Sequence, residues 1–168
     1  MRKSRILGVA AIVCTVAMAL SGCGGSSSSS SSDSGIITAY ASEPQNPLVP
    51  GNTNETGGGK PGDRLFARLV SFDAKGNASN EVAKSITPNS DSSEYTITLK
   101  SGWKFTDGTP VTAKSFTRAW SYVANAKNAQ LCSSFFSTIK GYDALQDTKS
   151  LKGTEQLSGL KVIDDHTF

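Results

Sequence analysis

Histidine and cysteine are scarce, with one histidine and three cysteines among the 168 residues of the chain. His166 stands beside Asp164 and Asp165 in a predicted turn. A metal site needs several convergent ligands, so we expect a solvated turn here rather than a metal centre. With no second histidine, no Ser-His-Asp or Cys-His arrangement can be assembled elsewhere in the chain. The sequence therefore predicts no catalytic residues, no metal ligands and no cofactor, and the chain is not expected to be an enzyme.

The first 22 residues have the three parts of a secretory signal. A short basic region at residues 2–5 precedes an apolar run of 15 residues, Ile6 to Leu20, and small residues then lead to Cys23. A membrane-spanning helix would need about 20 apolar residues, so the run is too short to cross a bilayer. We expect residues 1–22 to be a signal peptide that directs export.

The signal ends in Leu20-Ser21-Gly22-Cys23, a pattern that resembles the lipobox of bacterial lipoproteins. In that family the signal is cut before the cysteine, so the resemblance implies that Cys23 becomes the lipidated first residue. Two or more acyl chains anchor a protein stably, and we expect the exported chain on the outer face of the cell membrane. Residues 23–35 contain seven consecutive serines and predict a flexible linker.

Removing the predicted signal changes both the charge and the cysteine content of the chain. The whole chain has 17 basic and 14 acidic residues, and three of the basic residues lie in the signal. The mature chain is therefore neutral, whereas nucleic-acid binding would want a basic patch, so no nucleic-acid partner is expected. Beyond Cys23 only Cys132 remains, which leaves no intramolecular disulfide. Cys132 is predicted to be a small buried apolar side chain rather than a reactive thiol.

Short elements and polar loops alternate in the first half of the mature chain. Ile36–Tyr40 is β-branched and aromatic after a glycine, which predicts a first strand. Residues 42–62 are rich in Pro, Asn and Gly and predict a long loop, whose glycine run lacks the Ser or Thr of a phosphate-binding loop. Apolar residues at helical spacing predict a helix over Asp63–Val70. Residues 71–77 predict a turn, and Val82–Ile86 a short strand.

The clearest strand pattern begins at Tyr95. Tyr95–Lys100 alternates apolar and polar residues, which predicts a half-buried strand. Trp103–Phe105 alternates again and is predicted to be its hairpin partner. Thr106–Pro110 predicts a turn in which Gly108 takes positive φ.

A capped amphipathic helix is predicted next. The Thr112 hydroxyl can cap it, and Phe116, Trp120 and Val123 fall on one face at helical spacing. Trp120 and the earlier Trp103 are therefore expected in the core. The sequence then predicts a weaker helix over Leu131–Ile139, a polar loop and a final strand over Leu160–Ile163.

Residues 95–116 resemble the signature of the oligopeptide- and dipeptide-binding proteins of ABC importers, solute-binding protein family 5. That signature runs through a strand, a basic residue, Gly and an aromatic pair to Asp-Gly-Thr-Pro-Val-Thr-Ala, which stands here at residues 107–113. Three further segments resemble the family in the right order: residues 65–70, 82–85 and 159–168. Three places depart from it: Pro47–Pro50, which lacks the family's Asp, the glycine-rich residues 57–62, and Lys84 in place of an acidic residue.

The resemblance implies an α+β (mixed α/β) chain that forms the N-terminal part of a two-lobed, periplasmic-binding-protein type II-like fold. Residues 36–52 would supply the first strand and loop of lobe one. Residues 53–168 would form the family's small extra α+β domain and the start of the return to lobe one. The chain is accordingly expected to be an N-terminal fragment of a longer protein.

The same resemblance implies a substrate-binding component that captures extracellular oligopeptides and presents them to the permease subunits of an ABC importer. Peptide-binding members often have a glutamate just after the first strand, and Glu43 fills that place, flanked by Ser42 and Ala41. The alternative for Glu43 is a solvated loop side chain. Nickel, haem or oligosaccharide ligands are the alternatives within the family, and a structural surface lipoprotein is the alternative outside it.

Overall fold

The computed structural model of the chain describes residues 38–168. The predicted signal, the linker with Cys23, and the first two residues of the predicted strand Ile36–Tyr40 lie outside the described residues. Thr38–Tyr40, the rest of that predicted strand, does not form a strand. Among residues 38–168 no segment pairs with it, and a lone strand without a ladder is not stable in water.

Within residues 38–168 the chain mixes helices with short antiparallel strands, in agreement with the expected α+β class. The helices and strands follow in the order α1 (Thr56–Leu65), β1 (Val70–Phe72), β2 (Ala78–Asn80), β3 (Ala83–Pro88), β4 (Tyr95–Leu99) and α2 (Ala113–Ala124). Strand β1 pairs with β2, and β3 pairs with β4. Short 3-10 turns lie at Pro50–Asn52, Ala126–Asn128, Ser133–Phe136 and Asp143–Leu145.

The hairpin β1–β2 replaces two predicted elements, because the end of the predicted helix is extended and the predicted turn includes strand residues. The Asp73 carboxylate sets the turn by accepting the backbone N–H groups of Lys75 at 2.8 Å and Asn77 at 2.9 Å. Gly76 takes φ 83° there, a left-handed conformation that suits glycine. The side-chain N–H of Asn77, which donates to Asp73 Oδ2 at 2.8 Å, and these two backbone N–H groups hold the pKa of the Asp73 carboxyl below its usual value, since all of them favour the charged form.

The second hairpin carries the main core and confirms two predicted strands. Ile86 lies opposite Ile97, and the register shifts between Ala83 and Ser85. Alternation along β4 buries Ile97 and Leu99, as the apolar–polar pattern predicts for a strand with one face in the core. These two side chains form a cluster with Val82, Ala113 and Phe168.

The predicted pairing of Trp103–Phe105 with β4 is wrong. The segment folds forward instead, with Phe105 N–H donating to the Thr109 carbonyl at 2.8 Å and Val111 N–H donating to the Trp103 carbonyl at 3.0 Å. Gly102 at φ 87° turns the chain out of β4, and Gly108 at φ 86° closes the new loop as expected. The side chain of Trp103 still packs against the main core.

The outer edge of β4 is occupied by the last two residues. Ile97 N–H donates to the Phe168 carbonyl at 2.8 Å, and Phe168 N–H donates back to Ile97 at 3.1 Å. The predicted final strand Leu160–Ile163 is therefore wrong, since the pairing residues are Thr167 and Phe168. Asp164 pairs with Thr167, and the two residues close a turn that contains His166, as predicted.

Helix α2 begins after Thr112, as predicted, and has the predicted amphipathic face. Thr112 and Ser115 form a capping box in which Thr112 N–H donates to Ser115 Oγ at 3.0 Å. Phe116 stacks on Phe168 with ring centroids 5.9 Å apart, and Trp120 meets the same ring edge-on at 5.7 Å. Such aromatic contacts add to the burial of apolar surface, and they fix α2 over the hairpin.

A second, smaller core follows α2. Ala124, Leu145 and Leu157 are buried together, and Ser121 Oγ accepts the backbone N–H of Leu157 at 3.0 Å. The predicted helix Leu131–Ile139 is reduced to the 3-10 turn Ser133–Phe136, because this stretch follows irregular turns around the small core.

Cys132 is half-buried, with its Sγ 3.6 Å from the carbonyl oxygens of Pro50 and Thr53. Its backbone N–H also donates to the Gly51 carbonyl at 3.0 Å. The prediction of a small buried side chain is thus met in part, and the residue joins the 3-10 turn at Pro50 to the chain after α2.

Candidate ligand-facing segment

The three predicted ligand residues Ala41, Ser42 and Glu43 lie side by side on an exposed stretch before α1. Their backbone N–H groups have no acceptor within residues 38–168. The Glu43 carboxylate makes no hydrogen bond or ion pair with any residue of this range. The segment therefore offers open backbone groups and one free carboxylate at its surface.

Two glycines at the start of α1 let this segment lie close to the helix. A Cβ added to Gly57 would come 2.6 Å from the Glu43 carbonyl oxygen and 3.0 Å from Ser42 Oγ. A Cβ on Gly58 would run into the side chains of Thr53 and Glu55. Both glycines are buried, so the close approach depends on the missing side chains.

Glu55 ties the same two parts together. Its carboxylate accepts the N–H of Gly58 at 2.9 Å through both oxygens, which caps α1 with a negative charge at the helix N-terminus. One of these oxygens also accepts the N–H of Gln45 at 3.2 Å. A single side chain thus fixes both the start of the helix and the stretch that follows Glu43.

Helix α1 was not expected at these residues. The predicted loop over residues 42–62 contains most of it, and the predicted helix Asp63–Val70 is wrong beyond Leu65. Glycine and proline are poor helix formers, and here the Glu55 cap and the close contact at Gly57 outweigh that propensity. After Phe66 the chain is extended, because the carbonyls of Arg68 and Leu69 accept backbone hydrogen bonds from residues 81–83, where β3 begins.

Glu55, Gly57 and Gly58 are the positioning residues that the sequence analysis missed. The sequence does contain an indication of this cap. The Glu55 carboxylate precedes Gly58 by three residues, which is the spacing at which a capping side chain accepts a backbone N–H. Lys60 adds a further link, since its Nζ lies 5.6 Å from the centre of the exposed Tyr40 ring.

A shallow groove of about 160 Å³ lies beside α1. It is lined by residues of the preceding 3-10 turn, of α1 and of the chain after it: Leu48, Pro50, Thr53, Gly58, Gly59, Gly62, Asp63, Phe66 and Arg68. Arg68 and Asp63 form an exposed ion pair of 2.8 Å at its rim. Exposed pairs of this kind contribute little to stability.

Within residues 38–168 no group of His, Cys, Asp and Glu side chains could hold a metal ion. The backbone N–H of His166 donates to Asp164 Oδ1 at 2.7 Å, which fixes the turn. No helix in this part of the chain is long and apolar enough to cross a membrane.

Residues 77–168 match the family model described as bacterial extracellular solute-binding proteins, family 5 middle. The match covers more than half of the chain. The chain belongs to this family. Members of this family are substrate-binding transport proteins rather than enzymes.

Two curated relatives show how the chain compares in length. A dipeptide-binding protein of Lactococcus lactis is 27% identical over the whole chain, which spans 29% of that protein. The periplasmic oligopeptide-binding protein OppA of Escherichia coli is 34% identical over 62% of the chain and 19% of its own length. The chain therefore spans less than a third of either relative.

Solved structures confirm the expected fold. Haemophilus influenzae OppA in complex with the peptide RPPGFSPFR has a TM-score of 0.67 at 26% identity, over 76% of this chain and 24% of that one. The murein tripeptide-binding protein MppA of Escherichia coli has a TM-score of 0.66 at 27% identity, with 76% and 25% covered. The chain has the fold of part of a periplasmic-binding-protein type II-like protein. The predicted division at residue 53 stays a prediction.

Proposed function

We propose that the chain belongs to the substrate-binding component of an ABC importer, which captures extracellular oligopeptides and presents them to permease subunits. The match of residues 77–168 to the family of extracellular solute-binding proteins carries this proposal. The two relatives named for dipeptide and oligopeptide binding favour peptide as the ligand. No catalytic activity is part of this function.

In this proposal the stretch Ala41–Glu43 faces the peptide. Its backbone N–H groups are open within residues 38–168, and an extended peptide is commonly held by main-chain hydrogen bonds in the manner of an added strand. The Glu43 carboxylate would accept a hydrogen bond from the peptide or orient its charged amino end. The close contact at Gly57 and the cap at Glu55 would hold this wall in place before ligand arrives.

Because the chain spans 29% of one relative and 19% of the other, the proposed site is shared with further residues of a longer protein. Residues 38–168 would form one wall of the cleft. Ligand binding would favour a closed arrangement of two lobes by a hinge motion.

Export and lipid anchoring complete the proposal. Cys23 would carry the lipid after cleavage of residues 1–22, and the serine-rich residues 23–35 would separate the folded part from the membrane. Cys23→Ser should block lipid attachment, which mass spectrometry of the mature N-terminus measures. A wild-type N-terminus that is unmodified and begins downstream of Cys23 would contradict the anchor.

Titration calorimetry tests the function in a protein that contains this chain and the rest of the two-lobed fold. Mixed tri- to hexapeptides should bind the wild type, and Glu43→Ala should weaken binding roughly ten- to a hundredfold, as expected when a charged hydrogen-bond partner is removed. Glu94→Ala is the matched control, because Glu94 is also exposed but lies in the loop before β4.

Three outcomes separate the function from the site. Binding of peptides that Glu43→Ala leaves unchanged would retain the function and remove Glu43 from the site. Absence of heat with every peptide, together with clear binding of nickel, haem or an oligosaccharide, would replace peptide by that ligand. Absence of binding to all of them would favour a structural surface lipoprotein.

A further inference from the structure

A second groove, of about 510 Å³, lies between the loop after β4 and the first turns of α2. It shares no lining residue with the groove beside α1. Seven residues line it: Phe105, Thr109, Pro110, Thr112, Lys114, Ser115 and Arg118. The proposed peptide-binding function makes no use of this surface.

Two unneutralised cations characterise this groove. Lys114 and Arg118 are four residues apart on α2, so they are neighbours on one helix face. Both are exposed, and neither forms an ion pair within residues 38–168, where Arg68 pairs with Asp63. The first turn of α2 contains no acidic residue that could offset their charge.

The opposite wall of the groove is apolar and fixed in place. The Phe105 ring is 50% exposed, and Pro110 beside it is also exposed. The loop between them is closed by hydrogen bonds from Phe105 N–H to the Thr109 carbonyl and from Gly108 N–H to the Phe105 carbonyl. A half-exposed aromatic ring on a loop with internal hydrogen bonds is a preorganised contact surface.

One carboxylate lies close to this groove without lining it. Asp107 sits in the same loop, and its Oδ1 accepts the Thr109 N–H at 2.8 Å. Hydrogen bonds from Thr109 keep the pKa of the Asp107 carboxyl below its usual value, so this group stays negatively charged in the loop. The lining itself contains two cations and no acidic residue, so its charge is positive.

We propose that this groove docks a short acidic segment of a partner protein, with an apolar side chain on Phe105 and Pro110 and carboxylates on Lys114 and Arg118. The guanidinium of Arg118 suits a carboxylate because it can donate two parallel hydrogen bonds. An anionic membrane fits less well, since lipid-binding patches gather about four to eight basic residues, whereas this concave surface has two.

A fluorescein-labelled hexapeptide, acetyl-Glu-Leu-Asp-Phe-Glu-Asp-amide, tests the proposal by fluorescence anisotropy. The protein is the chain from residue 23 onward with Cys23→Ser, which removes the lipid from the measurement. The acidic peptide should bind, and its Gln/Asn counterpart should bind at least about tenfold more weakly. Raised salt should weaken the acidic peptide's binding, because the attraction is between exposed charges.

Paired variants then locate the site. Lys114→Gln with Arg118→Gln should lower the affinity about tenfold or more, and Phe105→Ser should lower it as well. Lys75→Gln with Lys149→Gln removes the same charge at exposed positions outside the groove and should change affinity less than about twofold. Far-ultraviolet circular dichroism confirms that each variant is folded.

Three results would overturn the proposal. The first is absence of peptide binding at millimolar protein concentration, and the second is equal loss of binding in both double variants. The third is binding to vesicles of phosphatidylglycerol and phosphatidylethanolamine, lost in Lys114→Gln with Arg118→Gln, without binding to the peptide. That third result would assign the groove to the membrane surface instead.

Discussion

The hairpin β3–β4 with α2 and the stretch from Ala41 to the end of α1 are stabilised in different ways. The hairpin unit is stabilised by burial of apolar side chains such as Leu99, which is 3% exposed. The earlier stretch has almost no buried side chains and is held by Glu55 and by the glycines it touches. A core of buried apolar side chains tolerates small changes in geometry. The close backbone contact at Gly57, in contrast, is disrupted when a single carbon atom is added.

Leu99→Ala should produce a larger loss of stability than a substitution at Gly57, Gly59 or Glu155. It removes a buried side chain from β4 and leaves a cavity, which typically costs about 2–5 kcal/mol. Urea unfolding followed by circular dichroism measures the change. Phe135→Ala is the control, because this ring is 79% exposed and its loss should stay within about 0.5 kcal/mol. Equal losses in the two variants would contradict the assignment of the core.

Gly57→Ala and Gly59→Ala form a matched pair on the other side of the comparison. At Gly57 the added Cβ would press on the Glu43 carbonyl, and overpacking of this kind costs about 1–3 kcal/mol. At Gly59 nothing lies within 4 Å, so alanine should stabilise α1 by about 0.5–1 kcal/mol. The two substitutions are expected to change the free energy of unfolding, measured with urea, in opposite directions. Stabilisation by both would show that Ala41–Glu43 does not rest on the helix.

The stability contributed by Glu155 near the smaller core after α2 can be tested by changing the pH. The Glu155 carboxylate accepts backbone N–H groups of Lys152 and Gly153 and a side-chain N–H of Asn125, which is fully buried. These bonds, led by that from Lys152, lower the pKa of Glu155 to about 2. A folded pKa below the unfolded value means that the stabilisation is present above about pH 4.5 and is lost as pH falls towards 2.

Thermal unfolding between pH 7 and pH 2 measures this effect. The wild type should be more stable than Glu155→Gln at pH 7, and the difference should shrink as pH falls below about 4.5. Glu94→Gln, at an exposed residue, supplies the baseline for acid effects elsewhere. A difference that stays constant down to pH 2 would show that Glu155 does not act through its charge.

The contrast between the two regions also explains what the sequence could predict. Strand β4, the Gly108 turn and the capped helix α2 follow from local patterns, because alternation, turn residues and caps act over a few positions. Helix α1 was missed because its residues are poor helix formers and its support comes from Glu55 and Gly57. The pairing of Phe168 with β4 could not be predicted from local patterns, since the paired residues are far apart in sequence.

The residues of the candidate site also separate into those that the sequence predicts and those that it does not. Glu43 and its neighbours were predicted by resemblance to a family, and they are exposed before α1. Their role in binding stays a prediction. The residues that hold this stretch, Glu55 and Gly57, have no pattern of their own, because their role depends on which backbone they meet. The groove at Phe105 and Arg118 was also missed, since it requires the forward fold of the loop that replaced the predicted hairpin.

The edge of β4 has a consequence for synthesis of the protein. Ile97 and the residue that covers it, Phe168, are 71 positions apart. At about 5–20 residues per second, a ribosome needs roughly 4–14 s to translate that interval. For those seconds the nascent strand has an uncovered edge, which is a template for pairing with other chains. Slow codons between β4 and the final turn would lengthen that interval, and a nearby chaperone would shorten the exposure.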